Sequence, residues 1–128
     1  MKHLIIDLDG TLTIDTVAPY KDKPINTPVV EKLKEYHSKG FKITIYTSRS
    51  MRSTSGNIGK INIETLPQIL EWLNKNAIPY DEVIVGKPWC GEEGFYVDDK
   101  AIRPSEFTSL DYEEIIQLLA CDNSSKKK

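Results

Sequence analysis

One stretch near the start constrains the rest of the chain: His3-Leu4-Ile5-Ile6-Asp7-Leu8-Asp9-Gly10-Thr11-Leu12-Thr13. An apolar run leads directly into two carboxylates one residue apart, and a Gly-Thr turn follows at once. Side chains alternate faces along a strand, so Asp7 and Asp9 point the same way while Leu8 turns back into the core. Two like charges this close repel unless a cation or a shared proton lies between them. Gly10 lets the backbone turn tightly, and Thr11 brings a hydroxyl and a backbone N–H to the strand mouth. Asp-Gly alone is ordinary turn chemistry. Behind a buried apolar run and a second aspartate, it reads as a metal and phosphate site.

The following residues alternate between strand and helix patterns. Residues 3–8 read as a strand buried on both faces. From Leu12 to Pro24 no period is sustained, and Asp15, Pro19, Asp22 and Pro24 mark an ordered loop or flap. A helix follows with Thr27 as its cap, Pro28 in its first turn, an inner stripe of Val29, Val30, Leu33, Tyr36 and His37, and Gly40 at its end. Residues 41–47 read as a second strand and Ser48–Lys60 as a polar loop. Residues 63–76 read as a helix with Leu66, Ile69, Leu70 and Leu73 inward and Pro67 in its first turn. Residues 82–85 form a third strand closed by Gly86-Lys87, and residues 94–97 a fourth ending in Asp98-Asp99. Asp111-x-x-Glu114 opens a last helix running to about Ala120. Residues 1–121 are expected to make one domain, with 122–128 a flexible tail.

Strands alternating with helices predict an α/β fold with a parallel sheet and helices on both faces. Chemistry in such sheets gathers beyond the carboxyl ends of the strands. Here those ends deliver, in order, Asp7 and Asp9, Thr47, Gly86-Lys87, and Asp98 and Asp99. Three mouths carry acid or hydroxyl and the remaining one a cation.

Composition narrows the partners. A chain of 128 residues with a net charge of −2 suits one core and offers no broad basic field for nucleic acid. No apolar stretch approaches membrane-spanning length. The two cysteines, Cys90 and Cys121, lack metal-ligand spacing, so a reducing cytoplasm is the expected compartment.

Phosphate monoesters resist hydrolysis, with catalysts supplying up to ~10²¹-fold help. Catalysis needs charge neutralisation, a nucleophile and a proton donor in fixed places. Mg²⁺ prefers carboxylate, carbonyl and water oxygens, and Asp7 and Asp98 are candidate carboxylates for it. Lys87 and Thr47 suit the non-bridging phosphate oxygens, and Asp7 as nucleophile would form an aspartyl-phosphate.

The set Asp7-Leu8-Asp9-Gly10-Thr11, Thr47, Lys87 and Asp98-Asp99 resembles the four ordered motifs of the haloacid dehalogenase superfamily of phosphotransferases. Chain length and loop character resemble its small phosphatases from capsular-polysaccharide loci. The resemblance implies a Rossmann-like three-layer sandwich with sheet order 3-2-1-4 and no cap domain, since neither inter-motif gap can hold a substantial one. It implies Asp7 as nucleophile, Asp9 as general acid/base, and Thr47 and Lys87 on the phosphoryl group. Mg²⁺ would be held by Asp7, the Asp9 carbonyl and Asp98, with Asp99 ligating through water or supporting a ligand. Thr11, Ser48 and Arg49 are candidate substrate contacts; for Arg49, solvating its loop is an equal reading.

The implied substrate is a phosphorylated small molecule or a sugar- or polysaccharide-linked phosphate. A phosphate-accepting receiver switch would need its aspartate at the end of the third strand, where Gly86 stands. A non-catalytic scaffold would not need Asp9 as well as Asp7. Within the enzymes, the alternative is a polynucleotide 3′-phosphatase, whose loop after the second motif is similar in style. Without a cap, the site must be roofed by the 12–24 flap, the 48–60 loop, a second copy of the chain, or the substrate itself.

Overall fold

The structure is a computed structural model that describes residues 2–126, with side-chain surroundings through Cys121. Its elements are β1 (His3–Ile6), α1 (Thr27–Ser38), β2 (Lys42–Thr47), α2 (Ile58–Glu64), α3 (Leu66–Lys75), β3 (Glu82–Val85), α4 (Pro104–Ser109) and α5 (Tyr112–Lys126). The chain gathers into two compact units, Met1–Trp89 and Cys90–Lys128.

In the first unit the strands form one parallel sheet in the order β1-β2-β3. Ile5 aligns with Thr44 and Ile6 with Ile45, while Thr44 aligns with Glu82 and Thr47 with Val85. When each crossover is right-handed, consecutive neighbours in this order send both helical connections to the same face. Burial agrees. Ile6, Ile43 and Ile45 are buried with Val29, Val30 and Leu33 of α1 and Ile61, Ile69, Trp72 and Leu73 of α2 and α3, whereas Ile5 is 61 % exposed and Ile84 46 %. On this other face a polar ladder crosses the strands. His3 Nε2 lies 2.6 Å from the Thr44 hydroxyl, which donates to Glu82 Oε1 at 2.7 Å. The Lys42 ammonium sits 3.2 Å from the same carboxylate oxygen.

This arrangement corrects several expectations. β1 is buried on one face rather than two, and it ends at Ile6 because the chain curls immediately afterwards. The Leu8 carbonyl accepts N–H groups from Thr11, Leu12 and Thr13, at 3.3, 2.9 and 3.1 Å. The expected fourth strand over residues 94–97 does not form, so among the described residues the sheet order is 3-2-1 without the 4. Alternation in a strand needs a buried face, but Phe95 and Val97, which would share one, are both exposed, and Gly94 adds the entropic cost of ordering glycine.

Helix boundaries also shift. Asn26 rather than Thr27 is the residue before α1, and His37 is exposed rather than part of the inner stripe. The helix expected over 63–76 is α3, with Pro67 in its first turn as read but starting at Leu66, and a separate helix, α2, ends just before it at Glu64, where Pro67 has no N–H to continue the preceding turn. α2 starts inside the expected loop, where the Asn57 side chain accepts the Lys60 N–H at 3.1 Å. In α3, Trp72 is buried beside Ile69 and Leu73.

In the second unit, α4 was not expected from the sequence. Glu106 Oε1 accepts the Arg103 N–H at 2.9 Å at its start. The capping box of α5 forms as read, with Asp111 and Glu114 exchanging side-chain to backbone hydrogen bonds at 2.8 and 2.9 Å. Phe107 and Ile115 are buried there. α5 continues to Lys126, past the expected end near Ala120, and the last two residues of the expected tail lie outside the described ones. Among the described residues no helix is long and apolar enough to cross a membrane.

Candidate active site

The site of the first unit is built at the carboxyl ends of its three strands. Beyond β1, Gly10 adopts φ +78° and its N–H donates to the Thr13 hydroxyl at 3.1 Å, fixing the turn that follows the two aspartates. Beyond β3, Gly86 adopts φ +90°, and a Cβ placed there would stand 2.7 Å from Ile58 Cδ1. The positive φ is what calls for glycine, while the tip of Ile58 brings α2 close to the backbone that presents Lys87. The Lys87 N–H donates to the Thr47 carbonyl at 3.1 Å, tying the mouth of β3 to that of β2.

Asp7 is half-buried. The Thr11 hydroxyl donates to its Oδ2 at 3.3 Å, and the Lys87 ammonium lies 3.6 Å from its Oδ1. Burial raises its carboxyl above the ordinary carboxylate value, with Lys87 acting in the opposite sense and Asp9 reinforcing the rise. Asp9 is paired differently. Arg49 Nε donates to Asp9 Oδ2 at 3.0 Å and Nη2 to Oδ1 at 2.7 Å, a two-point fork. Arg49 is only 5 % exposed. Its backbone N–H donates to the buried Thr47 hydroxyl at 3.1 Å, and its guanidinium carbon lies 4.1 Å from the centre of the Tyr20 ring.

Asp7, Asp9, Thr11, Thr47, Arg49 and Lys87 are thus brought together. Ser48 lies between Thr47 and Arg49, with its carbonyl accepting the Met51 N–H at 3.0 Å in the loop's first turn. Asp98 and Asp99 belong to the second unit, where they line an open pocket with Val97 and Glu106. Asp98 Oδ1 accepts the Lys100 N–H there at 2.9 Å. Among the described residues, no group of three or more His, Cys, Asp and Glu side chains is placed to hold a metal ion. The donor set of the first unit nevertheless suits a hard cation. It is all oxygen, with the half-buried Asp7 carboxylate and the backbone carbonyl of Asp9 at one strand mouth.

Sequence reading missed two residues of this region. Tyr20 covers Arg49 from a 3-10 turn, Tyr20–Asp22, in the segment read as a flap. Trp72 holds that segment through its indole N–H, which donates to the Lys23 carbonyl at 2.9 Å. An aromatic within a run of Pro, Asp and Lys was the available signal for Tyr20.

Residues 4–123 match the family described as haloacid dehalogenase-like hydrolase. The chain belongs to that family. Of the residues on which the resemblance rests, the first unit brings together Asp7, Asp9, Thr11, Thr47 and Lys87, while Asp98 and Asp99 belong to the second unit. A crystal structure of a protein from Vibrio cholerae, solved as a structural target, is 56 % identical over 95 % of this chain and 99 % of that one, with a TM-score of 0.93. An RNA repair complex of Pnkp1, Rnl and Hen1 aligns with 66 % of this chain and 25 % of its own at 25 % identity and a TM-score of 0.48. A D,D-heptose 1,7-bisphosphate phosphatase from B. bronchiseptica, complexed with magnesium and phosphate, aligns with 66 % of this chain and 49 % of its own at 16 % identity and a TM-score of 0.46. At those scores neither bears on the activity of this chain. No curated protein matches.

Proposed function

We propose that this haloacid dehalogenase-like hydrolase is a Mg²⁺-dependent phosphomonoesterase that works through an aspartyl-phosphate on Asp7. The observation that carries this reading is the unequal pairing of the two aspartates. Asp7 faces a lysine at 3.6 Å and a threonine hydroxyl, while Asp9 is held by an arginine fork.

In the first half-reaction an Asp7 carboxylate oxygen attacks phosphorus. The bond from phosphorus to the ester oxygen breaks, and Asp9 gives that oxygen a proton. In the second, Asp9 takes a proton from water, which attacks the same phosphorus and releases phosphate and the Asp7 carboxylate. Lys87 and Thr47 neutralise and orient the phosphoryl oxygens, and Thr11 keeps one Asp7 oxygen turned away from attack. Asp7 and the Asp9 carbonyl would hold Mg²⁺, which supplies charge neutralisation for both nucleophile and phosphate. Assigning Asp98 and Asp99 as further ligands rests on the sequence pattern. The polar side chains of the segments after β1 and β2 support a hydrophilic substrate, such as a sugar- or polysaccharide-linked phosphate.

Turnover of p-nitrophenyl phosphate with Mg²⁺, with EDTA, and by Asp7→Asn tests the reading. EDTA and the substitution should each abolish turnover, and a single turnover in ¹⁸O-water should place label in released phosphate rather than in the leaving alcohol. Normal turnover by Asp7→Asn would remove Asp7 as nucleophile. Heat stability shows that the variant is folded. A carboxyl whose folded value is raised costs stability as pH climbs from its ordinary value, 3.8, through the folded one. The attraction of Lys87 is already included in that net rise, and asparagine lacks the cost, so the variant should melt no lower than the parent at neutral pH. The two should converge as pH falls toward the ordinary value.

A further inference from the structure

We propose that Arg49 and Tyr20 are positioning residues for Asp9, so that the strap from Ile14 to Pro24 sets the orientation of the group that handles the leaving-group proton. The inference rests on the role given to Asp9 above.

An arginine almost fully withdrawn from water must have its charge matched. Both oxygens of Asp9 meet this one, at 3.0 and 2.7 Å. A single hydrogen bond leaves a carboxylate free to swing about it, whereas a planar fork fixes both its direction and its plane. The Thr47 hydroxyl anchors the backbone of Arg49 at the end of β2, and Tyr20 covers its guanidinium at a distance where ring and cation attract. With both fork nitrogens on Asp9 and an aromatic ring on one face, Arg49 is built to hold a neighbour rather than to receive a substrate.

Tyr20 is in turn held by the fold. The strap begins and ends in an antiparallel bridge between Thr13 and Ile25, with the Ile14 N–H donating to the Pro24 carbonyl at 3.0 Å. Its Lys21 and Lys23 carbonyls accept Lys75 Nζ at 3.3 Å and the Trp72 indole at 2.9 Å, both from α3. A continuous line of contacts therefore runs from α3 through the strap, Tyr20 and Arg49 to Asp9. Proton transfer demands this precision, because a misplacement of about 1 Å costs on the order of 100-fold in rate.

The test compares Arg49→Lys, Tyr20→Leu, Asp9→Asn and the double variant Arg49→Lys/Asp9→Asn on two leaving groups. p-Nitrophenolate needs little protonation and an alkoxide needs it fully. Arg49→Lys keeps the charge but loses the fork, and should cut kcat/KM, which reports only steps through departure of the leaving group, by about 100-fold on an alkyl phosphate and only about threefold on p-nitrophenyl phosphate. Tyr20→Leu should lose in the same pattern, by about five- to tenfold on the alkyl phosphate. Tyr20 is 48 % exposed, so this variant carries the same test should a buried lysine fail to fold. Adding Arg49→Lys to Asp9→Asn should cost nothing further, since residues acting through one group are not additive. Equal losses in kcat/KM on both leaving groups, or independent losses in the double variant, would overturn the positioning role. If Asp9→Asn itself lost equally on both, the role of Asp9 would fall first; a selective Asp9→Asn beside an unselective Arg49→Lys and Tyr20→Leu would sink the positioning role alone.

Discussion

Two loops border the same strand mouths and are held in opposite ways. The strap after β1 is bound outward, by the Thr13–Ile25 bridge at its base and by Trp72 and Lys75 of α3 at its far side. The loop after β2, Ser48 to Asn57, folds largely upon itself. The Ser50 carbonyl accepts both the N–H and the hydroxyl of Thr54, at 3.1 and 2.7 Å, and the Met51 carbonyl accepts the Gly56 N–H at 2.9 Å. Three of its residues, Ser50, Ser55 and Gly56, have positive φ, and it meets the helices at its Asn57 end, which caps α2, and at a 2.8 Å contact between the Ser50 hydroxyl and that of Thr65 at the junction of α2 and α3. The strap's shape thus depends on a distant helix and reaches the site through Tyr20. The loop's shape is local, and its reach into the site ends with Arg49 at its root.

Shortening each loop tests that contrast most severely. Replacing Thr16–Asp22 by a short Gly-Ser link removes Tyr20 and should lower kcat on alkyl phosphates by about 100-fold. Replacing Arg52–Ser55 by Gly-Gly leaves Arg49 and the Asn57 cap in place and should hold kcat on aryl and alkyl phosphates within about twofold, since distant, independent sites do not couple. Steady-state kinetics on both substrates decide it. Comparable losses from the two replacements would erase the distinction between the loops.

Sequence reading reached the strands and both aspartates because each is a local pattern. An apolar run meeting Asp-x-Asp-Gly announces both a strand and its mouth, and Val83 to Lys87 does the same for the third. It missed what distance and competition decide. Residues 94–97 hold enough aromatic and β-branched residues for a strand, but pairing needs a partner that sequence does not supply. Arg49 lies 40 residues from Asp9, and nothing in its neighbourhood announces the fork. Trp72 was passed over because Leu66, Ile69, Leu70 and Leu73 already filled a helical stripe. The break at Thr65, by contrast, was legible in Pro67, and the start of α2 in Asn57.

A smaller effect should come from loosening the strap without shortening it. Trp72→Phe keeps the buried ring but withdraws the donor from the Lys23 carbonyl, at a cost of about 1 kcal/mol, or a few degrees of melting temperature. If the strap orients Asp9, kcat on an alkyl phosphate should also fall, by about threefold, with KM unchanged. A lower melting temperature with an unaltered kcat would make the indole contact purely structural, and the outward ties of the strap irrelevant to the site.

The smallest effect, and the one with the opposite sign, concerns the self-contained loop. Ser55 holds φ +54° on the surface, a left-handed conformation that costs an ordinary residue about 1–2 kcal/mol. Glycine adopts it freely but surrenders more chain entropy on folding, which returns about 0.5–1 kcal/mol of that gain. Ser55→Gly should therefore stabilise the protein by a few tenths to about 1 kcal/mol. A loop that keeps its strain to itself should release it without moving the site, so kcat and KM on both leaving groups should match the parent. Thermal melts and kinetics on one preparation read both quantities. A raised melting temperature with altered leaving-group dependence would mean that the loop's backbone is felt at Arg49, and that the loop, like the strap, helps to hold Asp9 in place.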